Sequence, residues 1–308
     1  MTSPRPFAAA CAAAFTVLVL GGCGAASGGT PPQATVPGSS AGPAGPTGPA
    51  TSAPLDPATT SATLAVYYLG NERIWPEVGP LPVDRIKLYR EFRRLPVGDG
   101  GPRARTEAAV AEMLDRSSAS DPDYSTGWPA GARVRQIRID GDTVTADLGG
   151  ARRNSVGAEA AHQAVQQLIW TVTAASGRSG VRLLLDGEQV DELWGHVGVE
   201  GVLRRGPAAE VIAHVWLIDP QHGATVGRTF TVHVSGIVFE STVYIRVRQG
   251  DRTVHQTFVT LVGGTLSRHG EAKASLTLPR GEYTVEAFDS SAANGRDLFL
   301  DDHAITVR

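Results

Sequence analysis

Glu159-Ala160-Ala161-His162-Gln163-Ala164-Val165-Gln166-Gln167-Leu168-Ile169-Trp170-Thr171-Val172 decides the fold. Ala161, Val165, Leu168, Ile169 and Val172 recur at steps of three and four, which brings them onto one helical face, while Glu159, Gln163 and Gln166 fall on other faces. The pattern predicts an amphipathic helix that rests one face on a sheet.

The flanking sequences supply that sheet. After the helix, Val181 to Leu185 is a short apolar strand closed by Asp186-Gly187. Before it, Ala132 to Ile139 and Thr143 to Leu148 flank Asp140-Gly141-Asp142, a turn sequence between two strands. Further upstream, Thr63 to Leu69 and Ile86 to Leu95 are rich in strand formers. Between them and the hairpin, Thr106 to Leu114 sets Ala109, Val110, Met113 and Leu114 on one helical face, with Glu107 and Glu112 off it and Thr106 as N-cap. The order strand, strand, helix, hairpin, helix, strand predicts an α+β domain over residues 63–203, a mixed sheet with two helices on one face.

Downstream the rhythm changes. A short linker around Arg204 to Ala209, containing Gly206-Pro207, leads into about seven strand candidates: Val211 to Ile218, Thr229 to Ser235, Thr242 to Val247, Thr253 to Val259, Ala272 to Leu278, Tyr283 to Phe288 and Asp302 to Val307. So many short strands predict that residues 209–308 form an all-β immunoglobulin-like sandwich. Tyr283 opens a late strand, where such folds use the hydroxyl to cap a crossover.

These residues carry two resemblances. Trp128-Pro129-Ala130-Gly131, Ile139-Asp140-Gly141-Asp142-Thr143-Val144-Thr145-Ala146-Asp147-Leu148, Gln167-Leu168-Ile169-Trp170-Thr171-Val172-Thr173 and Leu185-Asp186-Gly187 resemble, in order, the motifs of the GerMN domain over about Thr63 to Gly201. That resemblance implies a non-catalytic α/β module of cell-envelope lipoproteins, similar to ring-building motifs of secretion and sporulation complexes. The sporulation protein that names the family has two copies, and here there is one. Asp219-Pro220, Val234-Ser235-Gly236, Phe239-Glu240 and the Tyr283 segment resemble the immunoglobulin-like domain of bacterial spore germination. The pair in this order is a known arrangement.

The N-terminal end speaks of location. An apolar run from Phe7 ends in Leu20-Gly21-Gly22-Cys23, which resembles a bacterial lipobox. The run is about fourteen residues, short of the roughly twenty that a spanning helix needs. Residues 1–22 are thus expected to be a lipoprotein signal peptide, cut between Gly22 and Cys23, with Cys23 lipidated (palmitate) and the protein held at the extracytoplasmic face of the cell membrane. Residues 23–62, rich in Pro, Gly, Ser and Thr, cannot offset their ordering entropy and read as a disordered tether with a reach of roughly 35 Å. The only cysteines are Cys11 and Cys23, so no disulfide is expected in the mature chain and its domains must rest on burial, which a hydrophobic content of 42% permits.

A net charge of -3 argues against a nucleic-acid partner. No G-x-S-x-G, H-E-x-x-H or phosphate-binding loop occurs. Eight histidines are scattered without ligand spacing, so no metal or other cofactor is expected and the reading is non-enzymatic. Two residues stand out as possible interface groups. Trp194 reads either as an exposed anchor or as core packing. Glu240, after Phe239, reads as a half-buried carboxylate that is either a ligand contact or a salt bridge or turn cap. The basic run Arg85, Lys87, Arg90, Arg93 and Arg94 reads as a solvated strand face or as a contact for anionic polymer. The function expected is an envelope lipoprotein binding another envelope component, protein first and wall polymer second, in a sporulation-like, germination-like or sensor-associated setting. The alternative is a cell-wall hydrolase whose site is assembled from distant residues.

Overall fold

Strand β1 (Ser61–Ile74) pairs antiparallel with β2 (Val83–Pro96) along its whole length, Tyr68 opposite Tyr89. The computed structural model describes residues 60–74, 83–264 and 268–308; the expected signal peptide, Gly22, Cys23 and nearly all of the tether lie outside them. Helix α1 (Pro102–Leu114) follows, then β3 (Arg133–Asp140), β4 (Thr143–Gly149), α2 (Ala158–Ser176), β5 (Gly180–Leu185) and β6 (Glu188–Gln189). The sheet order is β3-β4-β5-β6, with β4 and β5 parallel and the other pairs antiparallel, so α2 is the crossover between parallel neighbours. A small hairpin, β7 (Glu192–Leu193) and β8 (Val197–Gly198), closes the domain.

The mixed sheet with two helices stands, with one difference: β1 and β2 form their own ribbon and do not join the sheet. Helix α2 packs against both, touching β1 and β2 on one side and β4 and β5 on the other. The expectation of one apolar and one solvated face is therefore corrected: Gln163, Gln166 and Gln167 are buried as well. Burial of these amides is tolerated where they bond. Gln167 donates Nε2–H to Tyr67 O at 2.9 Å and accepts from the Gly127 N–H at 3.0 Å, and Thr171 Oγ1 accepts from the Tyr67 N–H at 3.2 Å. Gly127 lies so close to α2 that an added Cβ would stand 2.7 Å from that of Ala164. The helix ends on Gly177 at φ +70°, a left-handed cap that glycine adopts without strain. Helix α1 begins a turn earlier than expected. Pro102 takes the first position, where its fixed φ suits helix entry, and Thr106 is not the N-cap but donates its hydroxyl to Pro102 O at 2.7 Å.

The linker is packed. Gly206 donates its N–H to Gln166 Oε1 at 2.9 Å, and Arg205 lies over the Trp170 ring at 4.1 Å. A single turn, α3 (Ala208–Val211), replaces the start of the first predicted strand, and β9 (Val215–Asp219) begins later. Then come β10 (Ala224–Val226), β11 (Thr229–Gly236), β12 (Thr242–Gln249), β13 (Arg252–Thr260), β14 (Gly270–Thr277), β15 (Gly281–Ser290) and β16 (Asp297–Val307). They form sheets of order β10-β16-β15-β12-β13 and β14-β11-β9. This is the expected sandwich, and the Tyr283 hydroxyl donates to Pro279 O at 3.1 Å. Among the described strands of the sandwich, β10, three residues running parallel to β16, was not legible.

Strand β9 joins the two cores. Val215 and Leu217 face the sandwich interior with Val234, Ile245 and Val285, whereas Trp216 and Ile218 belong to the core of the first domain. Alternation along one strand thus sends side chains into both.

Candidate functional site

Two places concentrate chemistry. The first is a groove of about 840 Å³ on the outer face of the five-stranded sheet. Alternation puts Val243, Ile245 and Val247 of β12 inside, which leaves Tyr244 and Arg246 facing out. Register then makes an aromatic row across three strands: Tyr244 lies opposite Phe258 and Phe288, with ring centroids 6.3 and 5.6 Å away. Arg246 covers Phe288 at 4.5 Å and is held by Glu286 and Asp297. Phe258 remains 62% exposed and Phe239, on the adjoining turn, 72%. The facing wall is the Asp289–Asn294 stretch of the β15–β16 connection. Glu240 lines this groove and is exposed, not half-buried, because Glu240 and Ser241 both take left-handed φ, +58° and +53°.

The second place is the buried seam between β1–β2 and the sandwich. Glu72 accepts the backbone N–H of His214 at 2.5 Å and faces its Nδ1 at 2.8 Å. Lys87 donates to the carbonyls of Ala209 and Glu210, and burial holds its pKa below the ordinary lysine value. Glu91 accepts the N–H groups of Ser120 and Asp121, which shapes the loop that carries Asp121 and Tyr124. Tyr124 stacks on Tyr89 and donates its hydroxyl to Asp301 Oδ1 at 2.8 Å. The Leu217 N–H donates to Asp301 Oδ2 at 2.7 Å. Burial nevertheless pushes the Asp301 carboxyl up to about 6. Asp121, Asp301 and His303 are all buried, and their ligand atoms lie within 4.8 Å of one another, so these are the residues that could hold a metal.

The basic run is thereby divided. Lys87 is inside, Arg90 reaches Glu271 at 2.8 Å, Arg93 binds Glu112 at 2.9 Å, Arg94 bonds Ser61, and Arg85 is exposed. It is neither one solvated face nor one basic patch, because burial of alternate β2 positions draws Lys87 inward. Trp194 sits in the β7–β8 turn at φ +56°, followed by Gly195 at +76°. Its indole N–H donates to Ala151 O at 2.8 Å, and its ring meets Trp128 edge-on at 5.4 Å. The structure therefore does not bring Trp194 and Glu240 together. Sequence reasoning missed the seam: Asp121, His222, Asp301 and His303 come from three separate stretches. The one local sign was Asp301-x-His303, which strand alternation puts on one face.

Comparisons with known proteins fit this geometry. Residues 65–191 match the family model Germane, described as "Sporulation and spore germination", and residues 214–296 match Gmad2, the "Immunoglobulin-like domain of bacterial spore germination". No curated protein matches the chain. Among solved structures, the first GerMN domain of the Bacillus subtilis sporulation protein GerM is 19% identical, with 47% of this chain and 98% of that one covered and a TM-score of 0.34. The tandem GerMN domains of the same protein are 16% identical, covering 51% and 50%, at 0.33. A Clostridium perfringens chain provisionally described as a lipoprotein is 13% identical, covering 49% and 91%, at 0.32. No described helix is long and apolar enough to cross a membrane. The chain therefore carries a GerMN domain followed by an immunoglobulin-like domain of bacterial spore germination.

Proposed function

We propose that this is a non-catalytic cell-envelope lipoprotein, anchored through lipidated Cys23, whose second domain binds another envelope protein in the groove beside β12 and β13. The observation that carries the reading is the exposure of Phe239 and Phe258 around an aromatic floor. Aromatic anchors within a polar rim are the usual core of a protein interface. Consecutive left-handed residues at Glu240 and Ser241 hold that rim in a backbone conformation costing about 1–3 kcal/mol each, which is the kind of strain found at binding sites. β13 is also the edge of its sheet, so its outer backbone groups can pair with a partner strand. A wall polymer is the second reading, since Glu240, Thr242, Asp289 and Asn294 also line the groove. The hydrolase alternative gains little from the neighbouring carboxylates Asp121 and Asp301, which are only 3% and 6% exposed.

The test is a crosslinking capture from intact envelopes. Phe258→Glu should lose a selectively captured protein while melting like wild type, and Cys23→Ser should leave the membrane fraction still folded. Capture of the same proteins by Phe258→Glu would remove the groove from the reading, retention of Cys23→Ser after a salt wash would remove the anchor, and turnover of wall polymer by purified protein would remove the non-catalytic assignment.

A further inference from the structure

His303 is 2% exposed, and its two ring nitrogens meet different surroundings. Nδ1 lies 2.7 Å from the Pro220 carbonyl oxygen, which can only accept, so Nδ1 carries a proton. On a neutral ring Nε2 is then a lone pair. It is buried without a hydrogen-bond partner among the described residues, and it faces Asp121 Oδ2 at 3.4 Å. The same oxygen meets His222 Nδ1 at 3.5 Å, and that nitrogen is also buried without a hydrogen-bond partner among the described residues. The His303 nitrogen, a carboxylate oxygen of Asp121 and one of Asp301 all lie within 4.8 Å of one another, with His222 at the rim of that group and not part of it. Both histidine separations from Asp121 Oδ2 exceed the roughly 2.7–3.2 Å of an N–H···O bond. The 3.4 Å between His303 Nε2 and Asp121 Oδ2 is the edge of a tetrahedron whose vertices stand about 2.0–2.1 Å from its centre.

We infer that Asp121, Asp301 and His303, with His222 beside them, form a site for a divalent transition cation of the Zn²⁺ class, which fastens the α1–β3 loop of the GerMN domain to the sandwich. The donor set of imidazole and carboxylate suits zinc, whereas Ca²⁺ and Mg²⁺ favour oxygen shells. The surroundings are those of an oriented metal ligand. A bond from Nδ1–H to a backbone carbonyl fixes the tautomer that turns Nε2 inward. The Asp123 N–H, at 2.8 Å from Oδ1 of Asp121, leaves Oδ2 for the cation, and Glu91 holds the loop from behind. Tyr124 and the Leu217 N–H orient Asp301 in the same way. His222, its side chain 27% accessible, stands beside the group on the exposed side.

The experiment uses the full chain, stripped with chelator and then titrated with Zn²⁺ or Co²⁺. One equivalent should bind, with the intense visible bands of tetrahedral cobalt and a raised melting temperature. His303→Gln and Asp121→Asn should each weaken binding by about tenfold or more. Should either fail to fold, the His303 imidazole resonances of stripped wild type should shift on adding Zn²⁺. The inference is overturned if stripped wild type takes up no metal. It is also overturned if folded His303→Gln or Asp121→Asn binds as tightly as wild type, if added Zn²⁺ leaves the His303 resonances unmoved, or if a thiolate-to-cobalt band places the metal on Cys11 or Cys23.

Discussion

The sandwich interior and the seam beneath it are both buried, but they are made of different chemistry. Inside the sandwich, Val232, Val234, Val243, Ile245, Val247 and Val285 meet across two sheets. At the seam lie Glu72, Lys87, Glu91, Asp121, Asp301 and His303, and among the described residues only Asp147 and Glu286 are buried charged groups elsewhere. An apolar seam of similar volume would be at least as stable, because desolvating ions offsets most of their attraction. What the charges add is discrimination. The sandwich core tolerates a small slide between hydrophobic side chains, whereas a slide at the seam would leave a buried ion without its partner, at about 3–5 kcal/mol. The seam thus sets how the two domains dock, and the sandwich core sets whether the second one folds.

The largest effect should come from the apolar side. Ile245, 0% exposed, lies in the middle of β12, and Ile245→Ala should cost about 2–5 kcal/mol by lost transfer energy and cavity formation. Urea titration should show that loss equally at pH 7 and pH 5, since Ile245 lies in a cluster of buried apolar side chains. A strongly pH-dependent cost would mean that the two regions are not separable.

The seam should instead reveal itself through protons. His269 meets Ala213 O at 2.9 Å through Nε2 and lies edge-on to Trp216 at 4.8 Å. Burial is the main reason its pKa is held down to about 4, with the neighbouring His214 and Arg90 acting in the same direction. An unfolded histidine titrates near 6.5. The folded state therefore favours the neutral ring, and its contribution is complete above about pH 6.5 and is lost as pH falls toward 4. The loss should approach about 3 kcal/mol. His269→Gln keeps a donor for Ala213 O without the titration, so its urea midpoint, measured with chelator present, should fall less steeply with acid. Parallel curves for the two proteins would place the acid sensitivity elsewhere.

The elements were legible in proportion to how local their causes are. Strand β12 alternates in full view, and Asp140-Gly141-Asp142 announces its hairpin, because turn chemistry and period are properties of neighbouring residues. Helix α2 was legible as a helix but not in its surroundings. Its glutamines look solvated in sequence and are buried, since a ribbon about ninety residues upstream covers the second face. The groove was half legible. Phe239 and Glu240 stood out, but the row from Phe258 through Tyr244 to Phe288 exists only through strand register. The seam was not legible, because no spacing in the chain links residue 121 to residue 303.

Helix α2 also offers the finest distinction. Gln163 and Gln166 are 5% and 7% exposed and differ in bonding alone. Gln166 Oε1 accepts the Gly206 N–H at 2.9 Å and so pins the linker that leads to the seam. Gln166→Ala would strand that N–H, at about 1–3 kcal/mol, less a few tenths regained from alanine's helix propensity. Gln163 Oε1 is buried with no hydrogen-bond partner among the described residues. Gln163→Met, of similar length and without the unbonded oxygen, should therefore be neutral or slightly stabilising. Paired denaturant titrations decide the matter. If the two variants are destabilised equally, burial of the amide stems, and not the bond to Gly206, is what the helix contributes at these positions.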